Sequence, residues 1–325
     1  MKIVFFDVDS IAVDPALVAE LAGHNIVYVA GPLTPENAPQ YADADVASIF
    51  VSSRAPRQAL EAMPALKMIA ARSTGLDHVD LDYAKERGIV VTNVAGYGEH
   101  TVAEFTFAML FALTRNVAAA DSAMAAGRDF KLPEFVGVDL FGKTIAVLGT
   151  GRIGKRVIEI ARAFGMTVLA YDVVCDEAHA AAHAYRYVEL DEAVAAADIV
   201  SLHAPYLPAT HHMLNAQRFA PMKDGVLLVN TARGELVDAV ALRAALESGK
   251  VSGVALDVLE DEKRLRAVVA GADATSEERA VVEADLAILA HPNAVVTPHI
   301  AFCSAEAVAT ITRSAVSSIH EFVSK

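Results

Sequence analysis

The sequence predicts an α/β chain that folds into two doubly wound parallel sheets, and three observations support this fold class. The length of 325 residues exceeds what one ordinary core holds and suits two domains. The composition is 54% hydrophobic and rich in Ala, Val and Leu, which is typical of buried parallel strands and packed helices. Short β-branched runs alternate with helical patterns, and this alternation predicts parallel sheets.

The first series of apolar runs starts at the beginning of the chain and predicts five strands, at residues 3–6, 26–29, 47–51, 68–71 and 89–92. A long helix is predicted next, at 102–115. Its opening, Thr101-Val102-Ala103-Glu104, matches the capping-box pattern, in which a hydroxyl and a carboxylate satisfy free backbone amides. This helix separates the two halves of the chain.

The second series follows a looser stretch at 116–140 and predicts strands at 144–148, 167–171, 198–203, 226–230 and 254–258, with a final run at 293–300. A charge-rich segment at 260–285 is expected to be a surface excursion. Apolar residues at helical spacing predict a last helix over 305–323 that returns to the first domain. We therefore predict one domain from residues 1–98 and 296–325, and a second from residues 99–295.

Composition excludes several classes of function. The formal net charge of -14 argues against nucleic-acid binding, which needs clustered Lys and Arg. The two cysteines, Cys175 and Cys303, have no disulfide or zinc spacing, so a reducing cytoplasm is expected. The first residues lack the features of a signal peptide, and the apolar block at 105–113 is shorter than the roughly 20 residues of a membrane span. No membrane partner is expected.

A glycine-rich turn predicts a dinucleotide site. Gly149-Thr150-Gly151-Arg152-Ile153-Gly154 follows the apolar strand at 144–148 and opens a helical pattern, which is the context such a fingerprint requires. The first glycine makes the tight turn, the second admits the pyrophosphate, and the third lets helix and strand pack closely. The positive end of the helix dipole also favours an anion there.

Asp172 ends the next predicted strand, close to the spacing of about 20 residues at which an acid accepts hydrogen bonds from the ribose hydroxyls. A carboxylate there repels the extra phosphate of NADP, so the sequence predicts NAD, with NADH preferred over NADPH. The alternative is that Asp172 is a solvated acid at a strand end.

Three polar segments stand at predicted strand ends in the second half. One carries Arg233, one carries the acids Glu260, Asp261 and Glu262, and one carries His299. Reduction of a 2-keto acid needs a cation for the substrate oxygens, a proton donor, and a partner that keeps the donor protonated. An isolated Arg or His would be an ordinary surface residue, but the combination favours an active site.

The chain resembles the D-isomer-specific 2-hydroxyacid dehydrogenase family over nearly its whole length. The motifs that carry the resemblance are the fingerprint, the segment NTARGELVD at 230–238, Pro298-His299, and the segments STGLD at 73–77 and NVAGY at 93–97. It implies a Rossmann NAD-binding domain inserted in a flavodoxin-like substrate domain, and a homodimer formed through the arm at 116–140. The long gap along the chain from Glu262 to His299 is more similar to the lactate-type branch of the family.

The resemblance also implies catalytic roles. Arg233 would hold the carboxylate and keto oxygen of a small 2-keto or 2-hydroxy acid. His299 would be the general acid or base, and Glu262 would orient His299 and raise its pKa. Glu262 is preferred because its distance along the chain from Arg233 matches the family's register, and Glu260 is the fallback.

Other residues of the resemblance would contact the ligands. The substrate would meet the backbone amides of Ser73, Thr74 and Gly75, as well as Tyr97 and Phe302. Asp257 would lie near the nicotinamide, and His203 would shape the cofactor pocket. Further candidate cofactor contacts are Pro205, Thr210, Thr231, Ala232 and His299 itself. The adjacent pair His211-His212 is interpreted as structural, and no metal site is expected.

Two other functions stay open at this point. Corepressors with the same architecture use the dinucleotide as a switch, and such a protein would bind NADH but turn over keto acids poorly. Phosphite dehydrogenases use a similar triad, and such an enzyme would form NADH with phosphite but with no D-2-hydroxy acid.

Overall fold

The computed structural model describes residues 1–11, 13–127 and 135–325. The chain divides into two compact units. The first unit contains Met1–Tyr97 and Cys303–Lys325, and the second contains Gly98–Phe302.

The first unit is built on a parallel five-stranded sheet whose strand order is β2-β1-β3-β4-β5. This is the flavodoxin-like order. Its strands are β1 (Lys2–Phe5), β2 (Asn25–Tyr28), β3 (Val46–Ile49), β4 (Met68–Ala71) and β5 (Val90–Thr92). The central strands β3 and β4 are buried at every position because helices cover both faces, which explains their continuous apolar runs.

The helices of the first unit are short except for the last. They are α1 (Pro15–Val18), α2 (Arg57–Glu61), α3 (Leu81–Glu86) and α13 (Ala305–Val323). Ser304 caps α13 by accepting from the Ala307 amide, and Val316 and Ile319 of this helix pack in one core with Ile3 and Phe5. The end of the chain therefore completes the unit that its beginning starts.

The second unit contains a parallel seven-stranded sheet with the order β12-β11-β10-β9-β6-β7-β8. Read from β8, this is the doubly wound order of dinucleotide-binding domains with one added strand. Its strands are β6 (Thr144–Leu148), β7 (Thr167–Tyr171), β8 (Arg186–Tyr187), β9 (Ile199–Leu202), β10 (Val226–Asn230), β11 (Val251–Leu256) and β12 (Ala294–Val296). The order changes direction between β6 and β9, which is where such sheets bind ligands.

Nine α-helices of the second unit lie within the described residues. They are α4 (Glu99–Thr114), α5 (Val117–Ala125), α6 (Arg152–Ala163), α7 (Glu177–His183), α8 (Leu190–Ala196), α9 (Ala216–Phe219), α10 (Ala239–Glu247), α11 (Glu262–Val269) and α12 (Ser276–Leu289). In the described ranges, no single helix has the length and apolarity to cross a membrane. Taken together, α4 and α5 meet both criteria, as a pair bent by 62°.

The predicted fold class is confirmed, since both sheets are parallel and flanked by helices. The predicted strand at 68–71 and the helix at 305–323 agree with the structure at both ends. The structure divides the chain at 302 and 303 rather than at the predicted 295 and 296. The loop at 297–301 donates three hydrogen bonds to the Asp257 carboxylate, and these bonds tie the loop to the second unit.

Three local expectations were wrong. The capping box at Thr101 does not start α4, because the Val102 amide already bonds to the Gly98 carbonyl at 2.9 Å and the helix begins at Glu99. The segment at 260–285 is not only a surface excursion, since it forms α11 and most of α12, with Asp285 buried. The stretch at 116–140 contains α5, and its residues 128–134 lie outside the described part of the chain.

Candidate active site

The glycine fingerprint connects β6 to α6. Gly149 has a φ of +98°, and a Cβ added to it would lie 2.5 Å from the Ala204 nitrogen. A Cβ on Gly154 would lie 2.0 Å from the Gly149 carbonyl oxygen, whereas a Cβ on Gly151 would meet nothing within 4 Å. Gly149 and Gly154 therefore permit close packing, whereas Gly151 leaves room in front of the first amides of α6. This arrangement fits the pyrophosphate of a dinucleotide.

Asp172 directly follows β7 and is held by the fingerprint turn. The Thr150 amide donates to Asp172 Oδ2 at 2.6 Å, and the Thr150 hydroxyl donates to the same oxygen at 3.1 Å. The Val174 amide donates to Oδ1 at 3.2 Å. These bonds fix a carboxylate at the end of the strand next to β6, where it could accept hydrogen bonds from ribose hydroxyls.

His203 follows β9 and lies against the fingerprint. Its Cβ is 3.6 Å from a Cβ added to Gly154, and its Nε2 is 2.7 Å from the Ser201 hydroxyl. Burial lowers the pKa of His203 to about 3, so its ring is neutral near pH 7. In the loop that follows, the Thr210 hydroxyl donates to the Pro205 carbonyl at 2.8 Å and braces the turn.

Arg233 stands in the turn after β10, and the buried Asn230 side chain braces this turn. Asn230 Nδ2 donates to the Arg233 carbonyl at 2.8 Å, and Asn230 Oδ1 accepts from the Ala232 amide at 3.0 Å. A Cβ added to Gly234 would lie 1.9 Å from the Leu259 carbonyl oxygen. Only glycine therefore lets the backbone after Arg233 pack against the segment that leads to Glu262.

The same turn is joined to α4 through Thr231. The Thr231 hydroxyl lies 2.9 Å from the Thr106 hydroxyl, and both side chains are buried. The Arg233 guanidinium donates to the Ala232 carbonyl at 2.7 Å. The backbone on both sides of Arg233 is thus fixed by hydrogen bonds.

Glu262 is the first residue of α11. Asp261, with a φ of 49°, caps this helix by accepting from the Arg264 amide. Glu262 Oε1 lies 3.3 Å from His299 Nδ1. Burial would raise the pKa of Glu262, but the contact with His299 and the charge of Arg266 hold that pKa below its ordinary value. The helix dipole favours the ionised carboxylate as well.

Glu260 has different partners. One of its oxygens lies 2.6 Å from His212 Nε2, and the other accepts from the Ala239 amide at 2.9 Å. This acid therefore joins the loop between β9 and α9 to the start of α10, and both of its oxygens are engaged there. His211 and His212 stack on each other with ring centroids 3.8 Å apart.

His299 has a φ of 58°, which is rare for a residue with a side chain. Asp257, buried at the end of β11, holds the loop in this shape by accepting from the Thr297 hydroxyl at 2.6 Å, from the Ile300 amide at 2.8 Å and from the Ala301 amide at 2.8 Å. Burial raises the pKa of Asp257 in spite of these bonds. With Nδ1 toward Glu262, the Nε2 atom is the ring nitrogen left for a substrate.

The loop at 73–75 follows β4 in the first unit. The Ser73 hydroxyl donates to the Gly75 carbonyl at 2.7 Å, the Thr74 hydroxyl to the Val94 carbonyl at 2.9 Å, and the Asn93 amide to the Thr74 carbonyl at 2.7 Å. Within the described parts of the chain, the backbone amides of Ser73, Thr74 and Gly75 donate to no acceptor. Tyr97 ends the first segment of this unit, and Phe302 ends the second unit.

The structure thus brings His299, Glu262 and Asp257 together, and it adds positioning residues that sequence reasoning missed. Asn230 holds the turn that carries Arg233. Thr297 holds the loop that carries His299, through its hydrogen bond to Asp257. A usable signal existed for each, because a polar residue that closes an apolar strand and precedes a turn often satisfies backbone groups of that turn.

Comparison with known proteins shows the family of this chain. Residues 107–301 match the family described as D-isomer specific 2-hydroxyacid dehydrogenase, NAD binding domain. An aromatic 2-oxoacid reductase of Clostridium sporogenes is 36% identical over 309 residues, which cover 94% of this chain and 90% of that protein.

Solved structures of D-lactate dehydrogenases are similar over the full length. The apo enzyme from Escherichia coli has a TM-score of 0.85 and 31% identity, covering 100% of this chain and 97% of that one. The enzyme from Aquifex aeolicus, in complex with NAD and lactic acid, has a TM-score of 0.84 and 36% identity, covering 99% and 95%. The chain therefore belongs to the D-isomer-specific 2-hydroxyacid dehydrogenase family and is an NAD-dependent oxidoreductase.

Proposed function

We propose that this enzyme interconverts a small 2-keto acid and the corresponding D-2-hydroxy acid, with Arg233, Glu262 and His299 as its catalytic residues. The observation that carries the proposal is the 3.3 Å contact between Glu262 and His299 on a loop that buried Asp257 holds in place. A paired imidazole and carboxylate is the arrangement that general acid-base catalysis requires.

The fingerprint turn and Asp172 would hold NADH, which when bound would supply the hydride for the keto carbon. His299 Nε2 donates the proton that the former keto oxygen needs, so the carbonyl gains one hydride and one proton. Ionised Glu262 stabilises the protonated imidazole through Nδ1 before the transfer. The Arg233 guanidinium binds the substrate carboxylate and the keto oxygen, where negative charge develops.

The remaining ligand contacts are part of the same proposal. The backbone amides of Ser73, Thr74 and Gly75, and the side chains of Tyr97 and Phe302, are the further proposed substrate contacts. Asp172 accepts from the adenosine ribose, and its charge makes NADH preferred over NADPH. Thr150 supports this role because it fixes the carboxylate from both its amide and its hydroxyl.

A panel of 2-keto acids with NADH and with NADPH tests this function. We expect rapid NADH oxidation with at least one small or aromatic keto acid, and formation of the D product. Tight NADH binding without turnover of any keto acid would favour the corepressor function. NADH formation from NAD with phosphite, but with no D-2-hydroxy acid, would favour phosphite oxidation.

We also propose that the chain is a homodimer whose interface includes the segment at 116–140. Several apolar side chains of this segment are exposed in the single chain, among them Val117, Met124, Val136 and Val138. Sedimentation equilibrium should give twice the chain mass. A monomer at micromolar concentration would contradict this part of the proposal. A cytoplasmic location remains a prediction.

A further inference from the structure

Three possible metal ligands meet on the second unit, outside the residues assigned to catalysis and cofactor binding. Glu159 lies on α6, and His179 and His183 lie on α7. The two histidines are four residues apart, which places them on the same face of the helix. Their rings stack with centroids 4.2 Å apart, and both face Glu159.

The distances between the ligand atoms suit a small tetrahedral ion. His179 Nε2 lies 3.4 Å from Glu159 Oε1, and His183 Nε2 lies 4.0 Å from the same oxygen. The three ligand atoms all lie within 4.8 Å of one another. Bonds of about 2.1 Å in a tetrahedron place any two ligand atoms roughly 3.4 Å apart. His179 Nε2 and Glu159 Oε1 already have this separation, and small side-chain rotations would move His183 Nε2 to the same distance.

Neighbouring groups orient the ligands. His179 Nδ1 lies 3.1 Å from the Tyr185 hydroxyl, which leaves Nε2 as the nitrogen toward Glu159. Metal-bound histidines generally use their second nitrogen in this way. The Tyr185 hydroxyl lies 3.2 Å from the Tyr187 hydroxyl, so His179 belongs to a longer hydrogen-bonded chain.

One carboxylate oxygen of Glu159 is also oriented toward the two histidines. Arg156 pairs with Oε2, so Oε1 is the oxygen that faces the imidazoles. Oε1 is therefore the atom through which Glu159 would join His179 and His183 as a ligand.

We propose that Glu159, His179 and His183 form a binding site for a divalent transition metal such as zinc, which ties α6 to α7. Two imidazoles and one carboxylate favour zinc, cobalt or nickel over magnesium and calcium, which prefer oxygen ligands. Three protein ligands leave the fourth position to water. The sequence did not predict this site, because Glu159 joins the histidine pair only through the packing of α6 on α7.

Titration of the chelator-treated, tag-free enzyme with Zn²⁺ in a calorimeter tests the proposal, with Co²⁺ absorption as a second measurement. We expect one ion per chain and a visible Co²⁺ spectrum of tetrahedral type. His183→Ala and Glu159→Gln should each weaken binding by at least about tenfold. Alanine favours a helix, and glutamine keeps the shape of glutamate, so both variants should fold.

His291→Ala is the matched control, because it removes an imidazole that lies outside the cluster. This variant should bind zinc as the wild type does. The proposal is overturned if the wild type binds no Zn²⁺ at micromolar concentration, or if His183→Ala binds it unchanged. Loss of binding in His212→Ala with retention in His183→Ala would also overturn it, since the ion would then lie at the His212 and Glu260 pair.

Discussion

His299 is the residue on which the proposed proton transfer depends. His299→Gln keeps a planar polar side chain but cannot donate a proton at neutral pH. We expect kcat for keto-acid reduction to fall by roughly 10²- to 10⁴-fold, which is the usual contribution of general acid-base catalysis. The Kd for NADH, measured by fluorescence, should change little. A variant that keeps its kcat would contradict the assignment.

Glu262 and Glu260 are the two candidate acids for the partner of His299, and matched variants of them distinguish the two. Glu262→Gln removes the carboxylate whose pKa, despite burial, the contact with His299 holds below its ordinary value, and with it the charge coupling between the two side chains. We expect the decline of the reduction rate with rising pH to begin at a lower pH than in the wild type.

Glu260→Gln is the control, because Glu260 bonds to His212 and to the Ala239 amide. Its effect should be on thermal stability, with the pH profile of kcat unchanged. If only this variant shifts the profile, then Glu260 is the partner and Glu262 is not.

The sequence could predict which residue types meet, but not how they are held. Arg233 and His299 stand in recognisable motifs at strand ends. The sequence could not show that Asp257 accepts three hydrogen bonds from the loop of His299, because that loop lies about 40 residues further along the chain. The His212 and Glu260 pair is equally non-local.

At the scale of single elements, α12 carries an unusual buried acid. Asp285 is 1% exposed, and among the described residues its Oδ2 has no hydrogen-bond partner. Burial, together with the charges of Glu260, Glu262 and Asp261, raises the pKa of Asp285 to about 8. The folded state therefore holds a proton that the unfolded chain releases above about pH 4.

This proton makes stability depend on pH. The stability linked to Asp285 is fully present below about pH 4 and is lost as the pH rises toward 8, because ionisation of the buried group disfavours the folded state. At pH 9, Asp285→Asn should have a higher melting temperature than the wild type and a free energy of unfolding that is larger by at least about 1 kcal/mol. At pH 5 the increase in the free energy of unfolding should be smaller. Exposed Glu283→Gln, on the same helix, should show no such dependence. An equal effect of Asp285→Asn at both pH values would refute the argument.

The elements that the sequence predicted best are buried strands and amphipathic helices with complete patterns. The strand at 68–71 is buried at all four positions, so its apolar run has clear ends. The two-residue strand β8 has no pattern to recognise. The start of α4 was misplaced because Thr101 and Glu104 fit a local motif, whereas the helical hydrogen bonds already include the Gly98 carbonyl and the helix begins at Glu99.

At the scale of the whole molecule, the chain leaves its first unit at Tyr97 and returns at Cys303. The first unit is therefore completed only when α13 packs on β1 and β4, where Val316 and Ile319 join Ile3, Phe5 and Met68 in one core. The second unit has its own cores on the two faces of its sheet. Cofactor binding and completion of the first unit should therefore be separable.

Ile319→Ala tests this separation. Ile319 is fully buried, so its truncation should cost about 2–5 kcal/mol of unfolding free energy in the first unit. We expect lower thermal stability and reduced keto-acid turnover at moderate temperature, with an unchanged Kd for NADH, because the proposed cofactor residues belong to the second unit. Ser317→Ala, on the exposed face of α13, is the control and should match the wild type. If NADH binding is lost in parallel with turnover, then the two units unfold together and cofactor binding depends on the core that α13 completes.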